Sequence, residues 1–372
     1  MSAKLGAVAR PGHLVYSGGM RNLITDPEVV APNFKKRLSG VTTTLLRVVP
    51  VQARWLRIAA LGPALPDHTP QIRFRDIPAL ARRPAGRPFR IWHARRNIEM
   101  LPGLILRSLG FPLKLVFTSA SQRRHSAWSR FLIARMDAII ATSTMGASYL
   151  KRSSTVVMHG IDIDVFRPPA ADEAPPAVLA EAVARGRVIG CFGRIRAQKG
   201  TDVFVDAMIA VLPHYPDATA LVLGRATADQ TGFLADLKAR VAAAGLTGRI
   251  LFPGEVGPLE TPEYYRPLSL FIAPQRWEGF GVTPLEAMAS GVPVVATTVG
   301  AFASLVLEEE TGSLIPPGDV AAMATATRRW LDDEPGRRRA GSASRTRVAD
   351  HFSLESEARG INAVYEAVWA AA

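Results

Sequence analysis

At 372 residues the chain is sized for two domains, and 48% hydrophobic against 21% charged residues leaves ample apolar surface for two cores and excludes a disordered chain. The single cysteine, Cys191, excludes an intrachain disulfide and a cysteine-clustered metal site, a usage that fits a reducing compartment. The net charge of +13 is lopsided: residues 1–164 hold 25 Lys and Arg against 8 Asp and Glu, whereas the remainder holds 20 against 24. The first half therefore faces something anionic, whether nucleic acid, an acidic membrane, or a phosphorylated or carboxylated substrate.

Residues 1–25 show no periodicity and read as a loosely held arm; no apolar run follows Lys4 and Arg10 as a signal peptide would require. `EVVAPNF` is predicted as a short strand and `KKRLSG`, with Lys35, Lys36, Arg37 and Gly40, as a loop. `VTTTLLRVVPVQARWL` follows as a helix or helix–strand passage. `FRIWHA`, `KLVFTS` and `DAIIATS` are short apolar runs, as expected of strands buried on both faces of a parallel sheet. `LPGLILRSLGFPLKLVFTSA` is interrupted by Arg107 and Lys114 and reads as a helix plus a strand, not a membrane span. `SQRRHSAWSRFLIARM` sets Arg123, Arg124, Arg130 and Arg135 beside Trp128, Phe131 and Leu132. That pattern suits either a packed helix with solvated arginines or a surface that docks on anionic lipid.

After `VVMHGIDIDVF` the Pro- and Ala-rich run to Gly186 reads as an exposed linker, 166–186, dividing 1–165 from 187–351. A second strand–helix series then runs through `VIGCFG`, `TDVFVDAMIAVL`, `ATALVLG`, `GFLADLKARVAAAG`, `RILFPG`, `LFIAP`, `PLEAMASG` and `PVVAT`. The expected architecture is α/β, with two doubly wound units and a ligand cleft at the carboxyl ends of their strands.

Two motifs carry chemistry. In `GCFGRIRAQKG` a strand ends at Gly193 and Arg194, Arg196 and Lys199 crowd the next loop; the order Lys199-Gly200-Thr201 is not that of a Walker A loop. The loop is either a solvated basic turn or a site for phosphate oxygens, which suit the arginine fork and the lysine charge. In `RWEGFGVTPLEAMASG` Glu278 and Glu286 flank Gly279, Phe280, Gly281 and Val282, and Thr283-Pro284 opens a helix. Glu286 has two readings: a capping-box partner for Thr283, or an acceptor for sugar hydroxyls beside amides that cradle a phosphate. His93 ends an apolar strand and is either a packed histidine or a cleft residue. Asp162-Ile163-Asp164 has the D-x-D form of metal-dependent transferases but sits in the run preceding the linker, and no metal is expected.

Together, `GRxxxxKG`, `E-x7-E` and `HGIDIDVFRP` resemble the retaining GT-B glycosyltransferases of family 4, strongly over about residues 155–352. The resemblance implies two Rossmann-like domains facing across a cleft, with a C-terminal helix, 352–372, crossing back to the first. It implies that Arg194 and Lys199 bind the donor diphosphate and that Glu278 contacts the donor sugar. Glu286 would grip the ribose, amides around Gly281 and Val282 would hold phosphate, and the turn at Val256 would border the base. Many members carry a catalytic histidine near the end of an N-domain strand; the corresponding run here, `KLVFTSASQRRHS`, has Ser119 and Ser121 at that point and His125 later, and His93, which also ends an apolar strand, is the other candidate. Lys35, Lys36, Arg37, Gly40, Arg123 and Arg124 would border the acceptor. `APNFKKRLSGVTTT`, `WHARRNIEM` and `FTSASQRRHSAWSRFLIARMDAIIATS` look like bacterial lipopolysaccharide-core mannosyltransferases. These move mannose from GDP-mannose to a Kdo sugar on a lipid A precursor, at the inner face of the cytoplasmic membrane. Alternatives are UDP-glucose or UDP-galactose as donor with another acceptor, an epimerase or phosphorylase on the same fold, and a nucleic-acid-binding protein, although no helix-turn-helix, RRM or zinc pattern appears.

Overall fold

The computed structural model describes residues 22–36, 40–63 and 65–371. Most of the expected N-terminal arm, and Arg37, lie outside the described residues. The last residues of that arm are held: Leu23 bridges Gln71, and the Ile24 amide donates to the Gln71 carbonyl at 3.0 Å.

The apolar runs of the first half form one parallel sheet. Its strands are β1 (Val29–Pro32), β2 (Ile58–Leu61), β3 (Gln71–Ile72), β4 (Arg90–Ala94), β5 (Leu113–Ser119), β6 (Ala138–Ala141) and β7 (Thr155–Val156), in the order β3-β2-β1-β4-β5-β6-β7. Nearly every residue of β1, β2 and β4 is buried, as strands covered by helices on both faces must be. The passage after the basic loop is one helix, Gly40–Gln52, and `RIAAL` supplies β2. The interrupted apolar stretch is a helix (Asn97–Ser108) and β5.

The second half repeats the plan with β8 (Arg187–Phe192), β9 (Ala218–Leu223), β10 (Ile250–Gly254), β11 (Leu270–Ala273), β12 (Val294–Thr297) and β13 (Gly312–Ile315). Their order, β10-β9-β8-β11-β12-β13, is the doubly wound 3-2-1-4-5-6 arrangement. In each sheet the strand order reverses beside the first strand, and the crevices beyond these points, next to β1/β4 and β8/β11, share one cleft.

The stretch expected to be an exposed linker is instead built into the second domain. Phe166, Leu179 and Ala182 are buried in its core, and residues 180–185 form a helix. Proline and alanine there mark turns and a small-residue contact, so composition alone misread it.

The chain ends by crossing back. The helix Leu354–Ala370 buries Ala358, Ile361, Val364, Tyr365 and Trp369 against Val29, Val48, Ile58 and Ile91 of the first domain. The Trp369 indole donates to the Phe89 carbonyl at 3.0 Å, and the Arg87 guanidinium lies 3.8 Å above its ring. The crossing is tight: Ile161 bridges Ser353, and a Cβ on Gly160 would stand 2.2 Å from the Ser353 carbonyl oxygen. Gly160→Ala is therefore expected to cost ~1–3 kcal/mol by overpacking, read as a lower thermal midpoint; an unchanged midpoint would show that the crossing has slack.

Candidate active site

The cleft between the domains encloses about 670 Å³. Its second-domain wall is made by the two loops singled out by sequence. The β8 strand ends at Phe192, the next residue, Gly193, has a φ of +137° that favours glycine, and the chain reaches the helix Thr201–Val211 through Gly200 (φ +69°). A Cβ on Gly200 would lie 1.9 Å from the Pro274 carbonyl oxygen, so only glycine lets this turn rest on the strand end beside it. Arg194 is exposed on the wall, and Arg196 lines it with a buried Nε that has no hydrogen-bond partner among the described residues.

The two loops are joined. Lys199 Nζ is ion-paired with the Glu278 carboxylate, whose other oxygen accepts from the Gly279 amide at 3.0 Å. Arg276 donates to both Asp202 oxygens at 2.7 and 2.8 Å and to the Ala197 carbonyl at 2.6 Å. Burial alone would raise the Asp202 pKa; the Arg276 guanidinium and the Asp202 and Val203 amides together outweigh it, and the carboxyl is held below its usual value. Gly281 (φ +84°) tucks beneath Phe302, where a Cβ would come within 2.3 Å of the ring.

Glu286 is 8% exposed on the short helix Thr283–Ala289, and its carboxylate accepts from the Tyr265 hydroxyl at 2.8 Å while lining the cleft. The helix has no side-chain cap bond, so the capping-box reading of Glu286 is not realised. Burial pushes its carboxyl pKa up, against the pull of Arg47 from the other wall and of the Tyr265 hydroxyl.

Gly193, Arg194, Lys199, Glu278, Phe280, Gly281, Val282 and Glu286 thus all meet one cavity, with Gly40 opposite them. Gly279 sits at its rim, where a Cβ would stand 3.7 Å from the Ala120 carbonyl of the first domain. Val256 is half-buried against the second-domain core and does not form the cavity wall.

The acceptor-side expectations need correction. His93 does not reach the cleft: its ring is fully buried, with Nδ1 2.5 Å from the Tyr365 hydroxyl and Nε2 2.6 Å from the Thr118 hydroxyl. Burial, and then the nearby Arg95, drive its pKa well below that of a free histidine, so it is a neutral packing residue. Alternation along β4 turns it into the sheet–helix interface instead of out of the strand end. Arg124 lines a separate basic cavity with His125, Arg130, Lys151 and Arg152, and Arg123 is exposed nearby. Lys35 and Lys36 are exposed and do not line the cleft. Asp162 caps a turn, accepting from the Asp164 and Val165 amides at 3.1 and 3.2 Å, which gives the D-x-D run a structural use.

Sequence reasoning missed the first-domain wall: Arg47, Arg95 and Thr118, together with His159 and Glu357. His159 bonds Glu357 at 2.9 Å and meets the Phe280 ring edge-on with centroids 4.9 Å apart. `WHARRN` carried a usable signal for Arg95, two residues beyond His93 at the strand end. Glu357 comes from the crossing helix, which only tertiary structure brings here.

Because Glu286 holds its proton more tightly folded than unfolded, its ionisation costs stability as pH rises above the ordinary glutamate value. Glu286→Gln is expected to unfold roughly 1–3 °C higher than the parent at pH 7.5, a gap that closes toward pH 4. A lower midpoint at pH 7.5 would contradict this balance.

Comparison with known proteins agrees with this geometry. Residues 164–333 match the family model "Glycosyl transferases group 1". The chain is 55% identical over 349 residues, 93% of its length and 99% of the other's, to the lipopolysaccharide core biosynthesis mannosyltransferase LpsB of Rhizobium meliloti (strain 1021). It is 48% identical over 347 residues, 93% and 97% of the two chains, to the lipopolysaccharide core biosynthesis mannosyltransferase LpcC of Rhizobium leguminosarum bv. viciae. Among solved structures, Anabaena Alr3699/HepE in complex with UDP superposes with a TM-score of 0.77 at 18% identity, covering 91% of this chain and 99% of that one. A glycosyltransferase from Rickettsia africae ESF-5 gives 0.74 at 17% identity, covering 94% and 98%. Two Rossmann-like domains, a cleft that gathers cations and acids from both motifs, and relatives matched nearly end to end lead to one assignment: the chain belongs to the group 1 glycosyltransferases and is a glycosyltransferase of the GT-B fold.

Proposed function

We propose that this enzyme moves mannose, with retention of configuration, from GDP-mannose to a Kdo-containing, lipid A-linked acceptor at the inner face of the cytoplasmic membrane. The observation that carries the donor half is the joining of Lys199 to Glu278, which puts the cations Arg194 and Lys199 and the acids Glu278 and Glu286 around one cavity. The names of the relatives support mannose and the lipopolysaccharide acceptor.

As the bond from the sugar C1 to the phosphate oxygen breaks, the sugar becomes oxocarbenium-like and the nucleoside diphosphate gains negative charge. Arg194 and Lys199 bind that later state more strongly than the ground state, which lowers the barrier. The acceptor oxygen bonds to C1 and its proton passes to the leaving phosphate. Glu278 and Glu286 take no covalent part: the first accepts from hydroxyls of the sugar and the second from those of the ribose. Every one of these groups belongs to the protein, so the reading calls for no metal or other cofactor.

An anionic acceptor on a membrane accounts for the +17 charge of the first half. Trp128 and Phe131 stack with centroids 5.5 Å apart, both about half exposed, near the cavity lined by Arg124, Arg130, Lys151 and Arg152. Aromatic rings beside arginines suit the headgroup boundary of an anionic bilayer. Among the described residues no helix is long and apolar enough to cross a membrane, so the contact proposed is peripheral.

Lys199→Ala and Glu286→Ala are each expected to lower kcat/KM for GDP-mannose by roughly 10²–10³ while the fold survives, measured as GDP release with mass spectrometry of the glycosylated Kdo–lipid. Ordinary turnover by both variants would remove the site assignment, and faster turnover of UDP-glucose would remove the donor. The double variant Trp128→Ser/Phe131→Ser should sediment with phosphatidylglycerol vesicles at least about tenfold less well. Undiminished sedimentation would move the membrane contact elsewhere.

A further inference from the structure

Arg95 is a buried cation of the cleft whose guanidinium has no carboxylate partner among the described residues. It follows directly on β4, is 9% exposed, and lines the first-domain wall. Its only acidic contact is through the backbone: the Arg95 amide donates to one Glu99 oxygen at 2.8 Å, and the other oxygen is taken by Arg96 at 2.6 Å. Among the described residues the Arg95 guanidinium reaches only the His93 carbonyl, at 3.5 Å, the outer limit of a hydrogen bond. Among the described residues no carboxylate pairs with it, and the stretches outside them contain no Asp or Glu side chain, the first acidic residue being Asp26. Its field is felt nearby: after burial itself, Arg95 is what further disfavours a charged His93.

A buried guanidinium without a counter-ion is costly to hold unless a ligand supplies the anion. The next strand provides a companion. Ala94 pairs with Phe117 in the β4–β5 ladder, which sets Arg95 beside Thr118 at adjacent carboxyl ends. The Thr118 hydroxyl also lines the cleft and is fixed from behind by His93, itself pinned by Tyr365 of the crossing helix.

We infer that Arg95, with the Thr118 hydroxyl beside it, binds a carboxylate on the acceptor sugar. The subsite lies on the first-domain wall, opposite the donor-phosphate cations Arg194 and Lys199. The planar arginine fork matches a planar carboxylate, and arginine keeps its charge when buried where lysine would not. The inference rests on the proposed transfer to a Kdo acceptor, whose sugar is an acid.

The test compares the parent enzyme with Arg95→Gln and Arg95→Lys on a Kdo-containing acceptor and on its methyl ester. Arg95→Gln should raise the acceptor KM by roughly 10- to 100-fold, with kcat and the calorimetric Kd for GDP-mannose little changed. The parent should prefer the acid to the ester, Arg95→Gln should not distinguish them, and Arg95→Lys should recover part of the preference. Equal use of acid and ester by the parent, an acceptor KM within twofold in Arg95→Gln, or weakened GDP-mannose binding instead would overturn the assignment. If the parent binds GDP-mannose yet glycosylates no Kdo acceptor, the functional reading fails separately, and a second arm decides for Arg95. With GDP saturating the donor site, inorganic phosphate should raise the melting temperature of the parent but not of Arg95→Gln; equal shifts would overturn an anion subsite there.

Discussion

The ion pair between Lys199 and Glu278 ties together the two loops that form the second-domain wall of the cleft. It joins loops whose residues lie 79 positions apart in the chain, and the Arg276–Asp202 pair makes the same connection a few residues away. Each charge answers the other, so neither is left buried and unpaired. On the proposed reading, a diphosphate would offer the lysine a stronger anion and a sugar would offer the carboxylate hydroxyl donors. The pair thus holds the two loops in register across the cleft wall.

The second constraint is the crossing helix. Leu354–Ala370 belongs by packing to the first domain although it follows the second in sequence. Glu357 on this helix holds both the Gly160 amide, at 2.8 Å, and His159, whose ring abuts Phe280 of the donor loop. The same helix supplies Tyr365, which pins His93 behind the acceptor wall. One amphipathic segment therefore touches the connection between the domains, the donor loop and the support of the acceptor wall. A shift between the domains would be felt in all three.

The two walls of the cleft use charge differently. On the second-domain wall Lys199 and Arg276 are paired with acids and Arg194 is open to solvent. On the acceptor side Arg95 is buried and lacks a carboxylate partner among the described residues. Glu286 has the converse arrangement: a carboxylate pressed against Tyr265, its pKa raised by burial and drawn back by an arginine across the gap. Both groups carry a desolvation cost that a suitably polar ligand relieves, which is how a site favours its substrate over water.

Strand runs, glycine turns and the two loop motifs were legible in the sequence because each is local. A parallel strand needs a short apolar run, a tight turn needs glycine, and a phosphate loop needs its cations within a few residues. The donor wall follows, since both its motifs sit directly after strands of a doubly wound sheet. The acceptor wall was not legible. His93 and Arg95 are two residues apart at one strand end, and whether each is buried or faces the cleft depends on where the strand stops relative to the helix behind it. Glu357 enters the site only because a terminal helix packs on the other domain, and Leu179 is core only because its turn folds onto β8 and β9. Short-range stereochemistry is written in neighbouring residues; burial and facing are set by residues hundreds of positions away, and only the tertiary structure decides them.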